Sequence, residues 1–479
     1  MKFALVSTIE NETRNLPVGL VRIAGHVKKH SNFDVRFIDN TFEDIYEEID
    51  KFKPDIIGLT TFTSFYNDTI DFAKNMKSKY PNIKIIIGGA HISALPNSLH
   101  SVFDFGVIGQ GEKRTLDLLN ALEGNKSLKN IDGLVYHDKG GKLVINKRKP
   151  DPELELAKSQ MDYSLLNKGY FKKKFLPETG DFKVCMGIFS SIGCPFKCLF
   201  CVCRSFWGDI RFLDVERIIK EIQELYHKYS VRHIEFYDDL FVINKKRLTE
   251  FYDQLKKVGL LNKVTFSCFA RADAFDEEMC KILKKINVKS ITFGFESASD
   301  RILKYIKNHP NSSDKKNRQA ILLGEKYGFR VSGALVTGNP TEKIEDMKKN
   351  NDFIDFVKKH HGNRVWIQIM TPFPGTKMWD IAKERGKIDD DFDDYGNLKS
   401  GKKINWSHLQ VHNRNAALLL DEDVPREEFL KNYNYSKAKC EKFVYRIFFN
   451  SIKENPINIF YFLKESPLYL KRFFNFVKQ

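Results

Sequence analysis

The sequence predicts an α/β protein built from two successive regions of alternating strands and helices. Short apolar strands alternate with amphipathic helices from residue 2 to about 125, and a second alternation begins at Val184. Such alternation is typical of parallel sheets covered by helices. A stretch with a hairpin pattern and several prolines separates the two regions. We expect a Rossmann-like doubly wound parallel sheet, then a partial (β/α)₆ barrel of the TIM type, and then a helical C-terminal region.

The composition indicates a folded protein with a metal centre. The chain has 479 residues, of which 42% are hydrophobic, enough for two or three domains. Five of its eight cysteines lie between Cys185 and Cys203, which predicts a metal site in a reducing compartment rather than a disulfide scaffold. Neither a signal peptide nor a long apolar run is present, so we expect a cytoplasmic protein. The net charge of +16 comes from dispersed lysines, and no nucleic-acid partner is expected.

The first region, residues 1–125, predicts a ligand site at one edge of its sheet. Ligands of such sheets bind at the carboxyl ends of the strands. Small residues follow three strands, in Thr60–Phe65, Gly88–His91 and Gly109–Glu112. Because no G-x-G-x-x-G follows the first strand, a dinucleotide is disfavoured. The predicted strands are Lys2–Ser7, Asp34–Asp39, Asp55–Thr60, Ile83–Gly88 and Phe105–Ile108, and the predicted helices are Val18–Lys29, Phe42–Lys51, Tyr66–Lys79 and Glu112–Glu123.

A linker over residues 126–180 precedes the second region. Gly133–His137 and Lys142–Asn146 flank Lys139-Gly140-Gly141, which predicts a hairpin. Pro150, Pro152 and Pro177 indicate an irregular connection.

The partial barrel is predicted over residues 181–385. Active sites of full barrels lie at the carboxyl ends of the strands. The predicted strands are Val184–Ser190, His233–Tyr237, Val264–Phe269, Ser290–Phe295, Arg330–Val336 and Arg364–Met370, and the predicted helices are Val215–Tyr229, Lys245–Val258, Asp276–Ile286, Lys316–Tyr327 and Thr341–Lys359.

Residues 386–479 form the predicted helical C-terminal region. Asp389–Tyr395 is expected to be an acidic loop. Residues 435–479 are basic and rich in aromatic side chains. Helices of this kind either pack on the barrel or make a peripheral contact with a membrane surface.

The loop after the first barrel strand carries the strongest chemical signal. Cys194, Cys198 and Cys201 have the spacing C-x-x-x-C-x-x-C. Three thiolates can hold three irons of a [4Fe–4S] cluster and leave the fourth iron open, whereas a structural zinc site needs four ligands. Zinc with Cys203 or Cys185 as a fourth ligand, and unmetallated thiols, are the alternatives.

The cysteine spacing resembles the hallmark of the radical S-adenosylmethionine (SAM) superfamily, in which the open iron chelates the amino and carboxylate groups of SAM. The ends of strands four to six resemble that superfamily too, in Gly294-Phe295-Glu296-Ser297, Gly338-Asn339-Pro340-Thr341-Glu342 and Thr371–Thr376. Tyr237-Asp238-Asp239 occupies the position of the family's segment for the SAM amino group. The resemblance implies SAM contacts from Phe200, Tyr237, Asp238, Asp239, Arg271, Glu296, Ser297 and Gly338, with Arg271 as partner of the SAM carboxylate.

The first region resembles the cobalamin (B12)-binding domain that precedes many radical SAM barrels. The resemblance rests on Leu16–Leu20, Gly88–His91 and Gly109–Glu112. It implies cobalamin contacts from Thr61, Thr63, Ser64, Gly88, Gly89, His91, Gly109, Gly111 and Glu112. The D-x-H-x-x-G loop that supplies an axial histidine elsewhere is absent, so neither His26 nor His91 is assigned as the lower ligand of cobalt. A flavodoxin-like fold that binds nothing is the alternative.

The resemblance implies a reaction. An electron from a reductant such as flavodoxin or ferredoxin cleaves SAM to methionine and a 5′-deoxyadenosyl radical, which abstracts hydrogen from a small-molecule or lipid substrate. Methylcobalamin then delivers a methyl group, and a second SAM restores it. A non-methylating cyclisation, rearrangement or oxidation is an alternative, as is a non-catalytic carrier or sensor. A methylthiotransferase is rejected because no cysteine precedes Cys185.

Overall fold

The computed structural model describes residues 1–8, 15–149, 161–176, 181–360, 363–402, 406 and 417–454, with side chains up to residue 441. The chain packs as two compact units. The first combines Met1–Tyr170 with Pro372–Asn413, and the second combines Phe171–Thr371 with Arg414–Gln479. This division does not test the domain boundaries predicted at residues 125, 180 and 385, which stay predictions.

The first unit contains a seven-stranded sheet in the order β2-β1-β3-β4-β5-β6-β7. Strands β1 to β5 pair in parallel, as the sequence predicts. The hairpin predicted in the linker, β6 and β7, is part of this sheet, because β6 pairs antiparallel with β5 and β7 pairs antiparallel with β6. The strands are β1 (Lys2–Ser7), β2 (Asp34–Asp39), β3 (Ile56–Thr60), β4 (Lys84–Gly88), β5 (Phe105–Val107), β6 (Leu134–His137) and β7 (Leu143–Ile145).

Helices follow the strands of this sheet along the chain. The helix predicted from Phe42 begins at Ile45 instead, because the Asp44 side chain accepts a hydrogen bond from the backbone N–H of Glu47, 2.9 Å away, and caps it there. The helices are α1 (Val18–His30), α2 (Ile45–Phe52), α3 (Tyr66–Lys79), α4 (Ala90–Ala94) and α5 (Gly111–Glu123).

The second unit is organised by a six-stranded parallel sheet whose strand order follows the chain. This confirms the predicted run of six barrel strands. Its strands are β10 (Cys185–Ile188), β13 (His233–Phe236), β14 (Thr265–Ala270), β15 (Val288–Glu296), β16 (Arg330–Thr337) and β17 (Arg364–Ile369). Two short antiparallel pairs join β8 (Lys174–Leu176) to β9 (Asp181–Lys183) and β11 (Ser191–Ile192) to β12 (Arg211–Phe212).

The second unit contains two helices that the sequence did not predict. They are the first and the fifth helix of this unit, Cys203–Trp207 and Asp300–Lys307. The fifth has only eight residues, too few for a clear apolar period, and ends at Asn308 in the left-handed conformation. The helices are α6 (Cys203–Trp207), α7 (Val215–Lys228), α8 (Lys245–Lys257), α9 (Glu277–Ile286), α10 (Asp300–Lys307), α11 (Asp314–Tyr327) and α12 (Ile344–Lys359).

The C-terminal part of the chain is divided between the units. Helix α13 (Lys377–Glu384) belongs to the first unit and α14 (Arg426–Glu454) to the second. The long α14 confirms the predicted helical region, and the acidic stretch from Asp389 to Tyr395 is an irregular loop. Residues 455–479, Pro150, Pro152 and Pro177 lie outside the described residues.

Aromatic rings fill much of the interior of the second unit. Phe236 on β13 stacks on Phe241, with ring centroids 4.1 Å apart, and also contacts Phe251 and Phe266. All four rings are buried. This core joins β13 and β14 to α8 and fixes the strand ends above it.

A membrane-spanning helix is not found among the helices that the structure describes.

We predict that Gly333→Ala destabilises the second unit. A Cβ at position 333 on β16 would lie 2.5 Å from the carbonyl oxygen of Phe293 on β15, so the paired strands must shift, at a cost of about 1–3 kcal/mol. Gly19→Ala on α1 is the control, because no described atom lies within 4 Å of its added Cβ. Thermal unfolding followed by circular dichroism tests both. An unchanged midpoint for Gly333→Ala would contradict this packing.

Candidate functional site

The three cysteines lie in a loop whose two ends are joined. Strands β11 and β12 pair on either side of the loop, Ser191 with Phe212 and Ile192 with Arg211. Gly193 has φ +84°, and a Cβ there would lie 2.6 Å from the carbonyl oxygen of Asp209. Only glycine tolerates this backbone contact. The protein itself therefore closes the loop that presents the free thiols of Cys194, Cys198 and Cys201.

Asp238 fixes the chain just before this loop. Its buried carboxylate accepts hydrogen bonds from the backbone N–H of Ser190 (2.6 Å), the Ser190 hydroxyl (2.6 Å) and the Ser191 hydroxyl (2.5 Å). Burial raises the pKa of Asp238, and these bonds oppose that effect. The first bond also explains why the barrel strand predicted up to Ser190 ends at Ile188. Asp238 supports the loop, and its predicted contact with SAM stays a prediction.

Arg247 of α8 holds the same strand end from the other side. Its Nη2 donates to the carbonyl oxygens of Ser190 (2.8 Å) and Leu213 (3.3 Å). Its guanidinium carbon lies 5.0 Å from the ring centroid of Phe212. One buried cation thus connects the residues that enter and leave the loop.

The thiols differ in their surroundings. Burial raises the pKa of Cys194 to about 11. The hydrogen bond from Cys203 lowers the pKa of Cys201, whose sulfur also lies 3.4 Å from the backbone nitrogen of Cys203. Burial raises the pKa of Cys198, and Arg271, which donates from Nη1 to its sulfur at 3.0 Å, opposes that effect. The backbone N–H of Phe196 also bonds to Cys194 and opposes the effect of burial on its pKa, so donors reach the sulfurs of all three thiols, and such bonds favour thiolates.

This donor set fits an iron–sulfur cluster. Within the described ranges, no three His, Cys, Asp or Glu side chains converge closely enough to hold a single metal ion. A [4Fe–4S] cluster binds each thiolate to a different iron and does not need such convergence.

Glu296 and Lys307 form a buried pair of opposite charges beside Cys198. Glu296 ends β15 with φ +64°, and its carboxylate occupies the space where Gly294 would carry a Cβ. Lys307 at the end of α10 donates to the carbonyl oxygen of Gly294 at 2.6 Å. Burial raises the pKa of Glu296 and lowers that of Lys307, and each charge opposes the effect on the other. Sequence analysis missed Lys307 together with its helix.

Two further predicted SAM residues are built into loops. The buried Ser297 hydroxyl accepts from the backbone N–H of Ser299 at 3.1 Å. Gly338 has φ +80°, and its N–H donates to Oε2 of Glu342 at 2.5 Å. Both therefore stabilise the turns that follow β15 and β16.

The remaining predicted SAM residues lie nearer the surface. Asp239 is exposed and acts electrostatically on Cys194 and Cys201. Phe200 and Tyr237 are half-buried. The backbone N–H of Tyr237 donates to the carbonyl oxygen of Ile188 at 2.9 Å, which places this side chain next to the start of the cysteine segment.

In the first unit, the loops after β3 and β4 lie directly against each other. Gly89 has φ +97°, and a Cβ there would lie 2.6 Å from the carbonyl oxygen of Thr61. Thr61 is buried and accepts from the Thr69 hydroxyl at 3.0 Å. Gly88 and Ser64 are partly accessible, so this edge presents small residues to a ligand.

His91 is fully buried, and both of its ring nitrogens have partners. Nδ1 lies 3.2 Å from the Thr63 hydroxyl and Nε2 lies 2.9 Å from the Ser98 hydroxyl. The ring packs on Tyr66 at a centroid distance of 3.9 Å, and burial lowers the pKa of His91 to about 3. His91 and Thr63 are therefore committed to each other, and His91 offers no free nitrogen to a metal.

The loop after β5 contains a residue that the sequence analysis did not assign. Gln110 is buried, and neither atom of its side-chain amide has a partner in the part of the chain that the structure describes. It lies between Gly109, with φ +79°, and Gly111. Glu112 forms an ion pair with buried Arg22 at 3.6 Å, and its predicted contact with cobalamin stays a prediction. The sequence feature that could have identified Gln110 is its position after β5, at the edge of the sheet where a ligand site is predicted.

Comparisons with known proteins agree with this architecture. The B12 binding domain model matches residues 5–119, and the Radical SAM superfamily model matches residues 188–354. An uncharacterized methyltransferase of Pyrococcus horikoshii is 32% identical over 381 residues, covering 77% of this chain and 79% of that protein. An anaerobic magnesium-protoporphyrin IX monomethyl ester cyclase of Rubrivivax gelatinosus is 27% identical over 349 residues, covering 70% of this chain and 60% of that protein.

Several solved structures share the fold, and one of them illustrates the match. It is the cobalamin-dependent S-adenosylmethionine radical enzyme OxsB with aqua-cobalamin and S-adenosylmethionine bound, at a TM-score of 0.66 and 18% identity. The match covers 93% of this chain and 72% of that chain.

We predict that Glu342→Gln changes the pH dependence of stability. Burial raises the pKa of Glu342 from its usual 4.5 to about 7, although Gly338 and Asn339 donate to it. The folded chain then holds a proton that the unfolded chain releases, so stability falls as the pH rises from about 4.5 to 7, by up to about 3 kcal/mol. Gln cannot ionise, so the variant lacks this loss of stability. The difference between the thermal midpoints of the variant and the wild type should therefore change in favour of the variant as the pH rises from 5.5 to 8. Parallel pH profiles would contradict the assignment.

Proposed function

Because the chain belongs to the cobalamin-binding radical SAM family, we propose that it transfers a methyl group to a small-molecule or lipid substrate, using a [4Fe–4S] cluster, SAM and cobalamin. The observation that carries the proposal is the closed loop with three free thiols, one of them bonded by a guanidinium. With these groups bound, the cofactors supply one-electron cleavage of SAM to a 5′-deoxyadenosyl radical and a methyl group carried on cobalt.

The cysteine loop would hold the cluster. Cys194, Cys198 and Cys201 are its ligands in this proposal. Asp238 and Arg247 keep the two ends of the loop in place, so the thiols are presented by a rigid base. Cys203 is buried and bonded to Cys201, and it supports that ligand without being one.

The buried charges beside the loop would hold the amino acid end of SAM, which carries an ammonium and a carboxylate. Glu296 and exposed Asp239 supply negative charge near the cysteines, and Lys307 supplies a positive one. Ser297 and Gly338 maintain the turns around them. Phe200 and Tyr237 offer half-buried aromatic faces to the rest of the molecule.

The carboxyl edge of the first sheet would bind cobalamin. Gly88, Gly89, Gly109 and Gly111 lie in the loops at this edge and would let a large flat ring system approach the backbone closely. Thr61 and Ser64 lie in the neighbouring loop. The unpaired amide of Gln110 matches the amide groups around a corrin ring, and Phe62, which is 58% exposed, adds an apolar surface.

The electron donor is proposed to be a small acidic protein of the flavodoxin or ferredoxin class. The chain carries a net charge of +16, which favours association with acidic carriers. A peripheral membrane contact through residues 435–479 remains a proposal for a lipid substrate.

We predict that Cys198→Ala abolishes the iron centre and SAM cleavage. Anaerobically reconstituted wild-type protein should contain about four irons per chain and form 5′-deoxyadenosine under reduction, because three thiolates suffice for the cluster. The matched control is Cys440→Ala, which removes a buried thiol from α14, away from the loop, and should keep both properties. Zinc in place of iron, or an iron centre without SAM cleavage, would contradict the proposal; the second result would favour a carrier or sensor.

We also predict that the bound corrinoid has no histidine ligand from His91, because both ring nitrogens are used within the fold. Electron paramagnetic resonance of the Co(II) form reveals an axial nitrogen by the splitting of its lines. Wild type and His91→Gln, which keeps a polar partner for Thr63 and Ser98, should give the same spectrum. Nitrogen splitting that is present in the wild type and lost in the variant would refute this prediction.

A non-methylating cyclisation or oxidation is the second candidate, favoured by the similarity to the Rubrivivax cyclase. The two reactions differ in products. Methyl transfer consumes a second SAM and yields S-adenosylhomocysteine beside 5′-deoxyadenosine, whereas the alternative yields 5′-deoxyadenosine alone. Product analysis with candidate substrates therefore separates them.

A further inference from the structure

Arg271 contacts three different partners beside the cysteine loop. It follows β14 and donates through Nε and Nη2 to the two carboxylate oxygens of Asp273, at 3.0 and 2.7 Å. Its Nη1 donates to the sulfur of Cys198 at 3.0 Å. Its guanidinium carbon lies 3.8 Å from the ring centroid of Phe196, a residue of the loop itself. Three of its five N–H groups are thus committed.

Asp273 fixes the direction of this guanidinium. Its side chain is 2% exposed, and it also accepts from the Ser312 hydroxyl at 2.5 Å and lies 3.4 Å from Nδ1 of His309. The bidentate pair uses the Nε–Nη2 edge of Arg271. Asp273 therefore lies on the far edge of the guanidinium, and Nη1 points toward the sulfur.

We propose that Arg271 is a positioning residue that raises the reduction potential of the cluster through its hydrogen bond to Cys198, rather than the partner of the SAM carboxylate. This inference rests on the proposed function, since it concerns the same metal centre.

The physical basis is the charge that reduction adds. One electron from the external donor converts the oxidised [4Fe–4S] form to the reduced form and makes the cluster and its thiolates more negative. A hydrogen bond from a cation to a ligand sulfur stabilises the more negative form, and such bonds tune cluster potentials. Arg271 keeps all its protons, because its guanidinium is always charged.

Other charges near Cys198 do not replace this effect. Glu296 and Lys307 also act on the thiol electrostatically, but in opposite directions: Glu296 raises the pKa of Cys198 and Lys307 lowers it. Arg271, by contrast, is a cation that donates a hydrogen bond directly to the sulfur of Cys198.

The test is the midpoint potential of the cluster, titrated without SAM in the reconstituted full-length protein. Arg271→Gln should shift the potential to more negative values by at least the equivalent of a tenfold change in the reduction equilibrium, 59 mV for one electron. Arg271→Lys keeps a cation but loses the planar guanidinium that Asp273 orients, and it should give a smaller shift of the same sign.

Arg318→Gln is the matched control. Arg318 resembles Arg271 in donating to an aspartate, Asp314, at 2.6 Å and in lying over a ring, that of Phe356, at 4.7 Å. It makes no hydrogen bond to a cysteine within the described residues, so its variant should keep the wild-type potential.

An unchanged potential in Arg271→Gln, combined with weaker SAM binding in equilibrium dialysis, would overturn the inference and assign Arg271 to the SAM carboxylate. If Arg271→Gln fails to retain iron, Arg271→Lys decides between the two roles. A negative shift supports the inference, and an unchanged potential overturns it. Failure of the wild type to assemble a cluster or cleave SAM is a different result, which refutes the proposed function itself.

Discussion

The hydrogen-bonded fixation of the chain just before the cysteine loop is the constraint on which the candidate site depends. A buried carboxylate is costly unless donors satisfy it, and Asp238 receives three bonds from Ser190 and Ser191. Arg247 donates to the carbonyl oxygens of Ser190 and Leu213 and supplies a positive charge near Asp238. These buried polar contacts are satisfied only when β10, β13 and α8 are packed together. The position of the thiols is therefore a property of the folded second unit.

Around Cys198, the protein places two pairs of opposite charges in a poorly hydrated environment. Arg271 with Asp273 and Glu296 with Lys307 each keep the local net charge near zero, so burial is tolerable. The two charges of each pair nevertheless lie at different positions relative to Cys198. The Arg271 pair presents its cation to the sulfur, while the Glu296 pair lies at the end of β15. Because interactions between charges are stronger where water is scarce, small changes in these side chains have large local effects.

The sequence was sufficient for the order of the elements and for the cysteine loop, because parallel strands leave a periodic apolar signal and the cysteine spacing is specific. It was insufficient wherever a side chain's direction decides its role. Asp238 and His91 occur at the expected strand ends, but the former bonds to the loop and the latter to Thr63 and Ser98. Lys307 was missed because α10 is too short to show a period. Gln110 was missed because an unpaired amide is visible only when its neighbours are known.

The pairing of the two ends of the cysteine loop has a consequence for the stability of the protein when it is exposed to oxygen. In small zinc domains, the metal supplies much of the folding free energy, and its loss unfolds the chain. Here the pairing of β11 with β12, the close contact at Gly193 and the polar contacts beneath them close the loop without metal. We expect that oxygen damage to the metal centre leaves the polypeptide folded. Iron and sulfide could then be restored to the existing molecule by the repair systems of the cell, with no new synthesis of the chain.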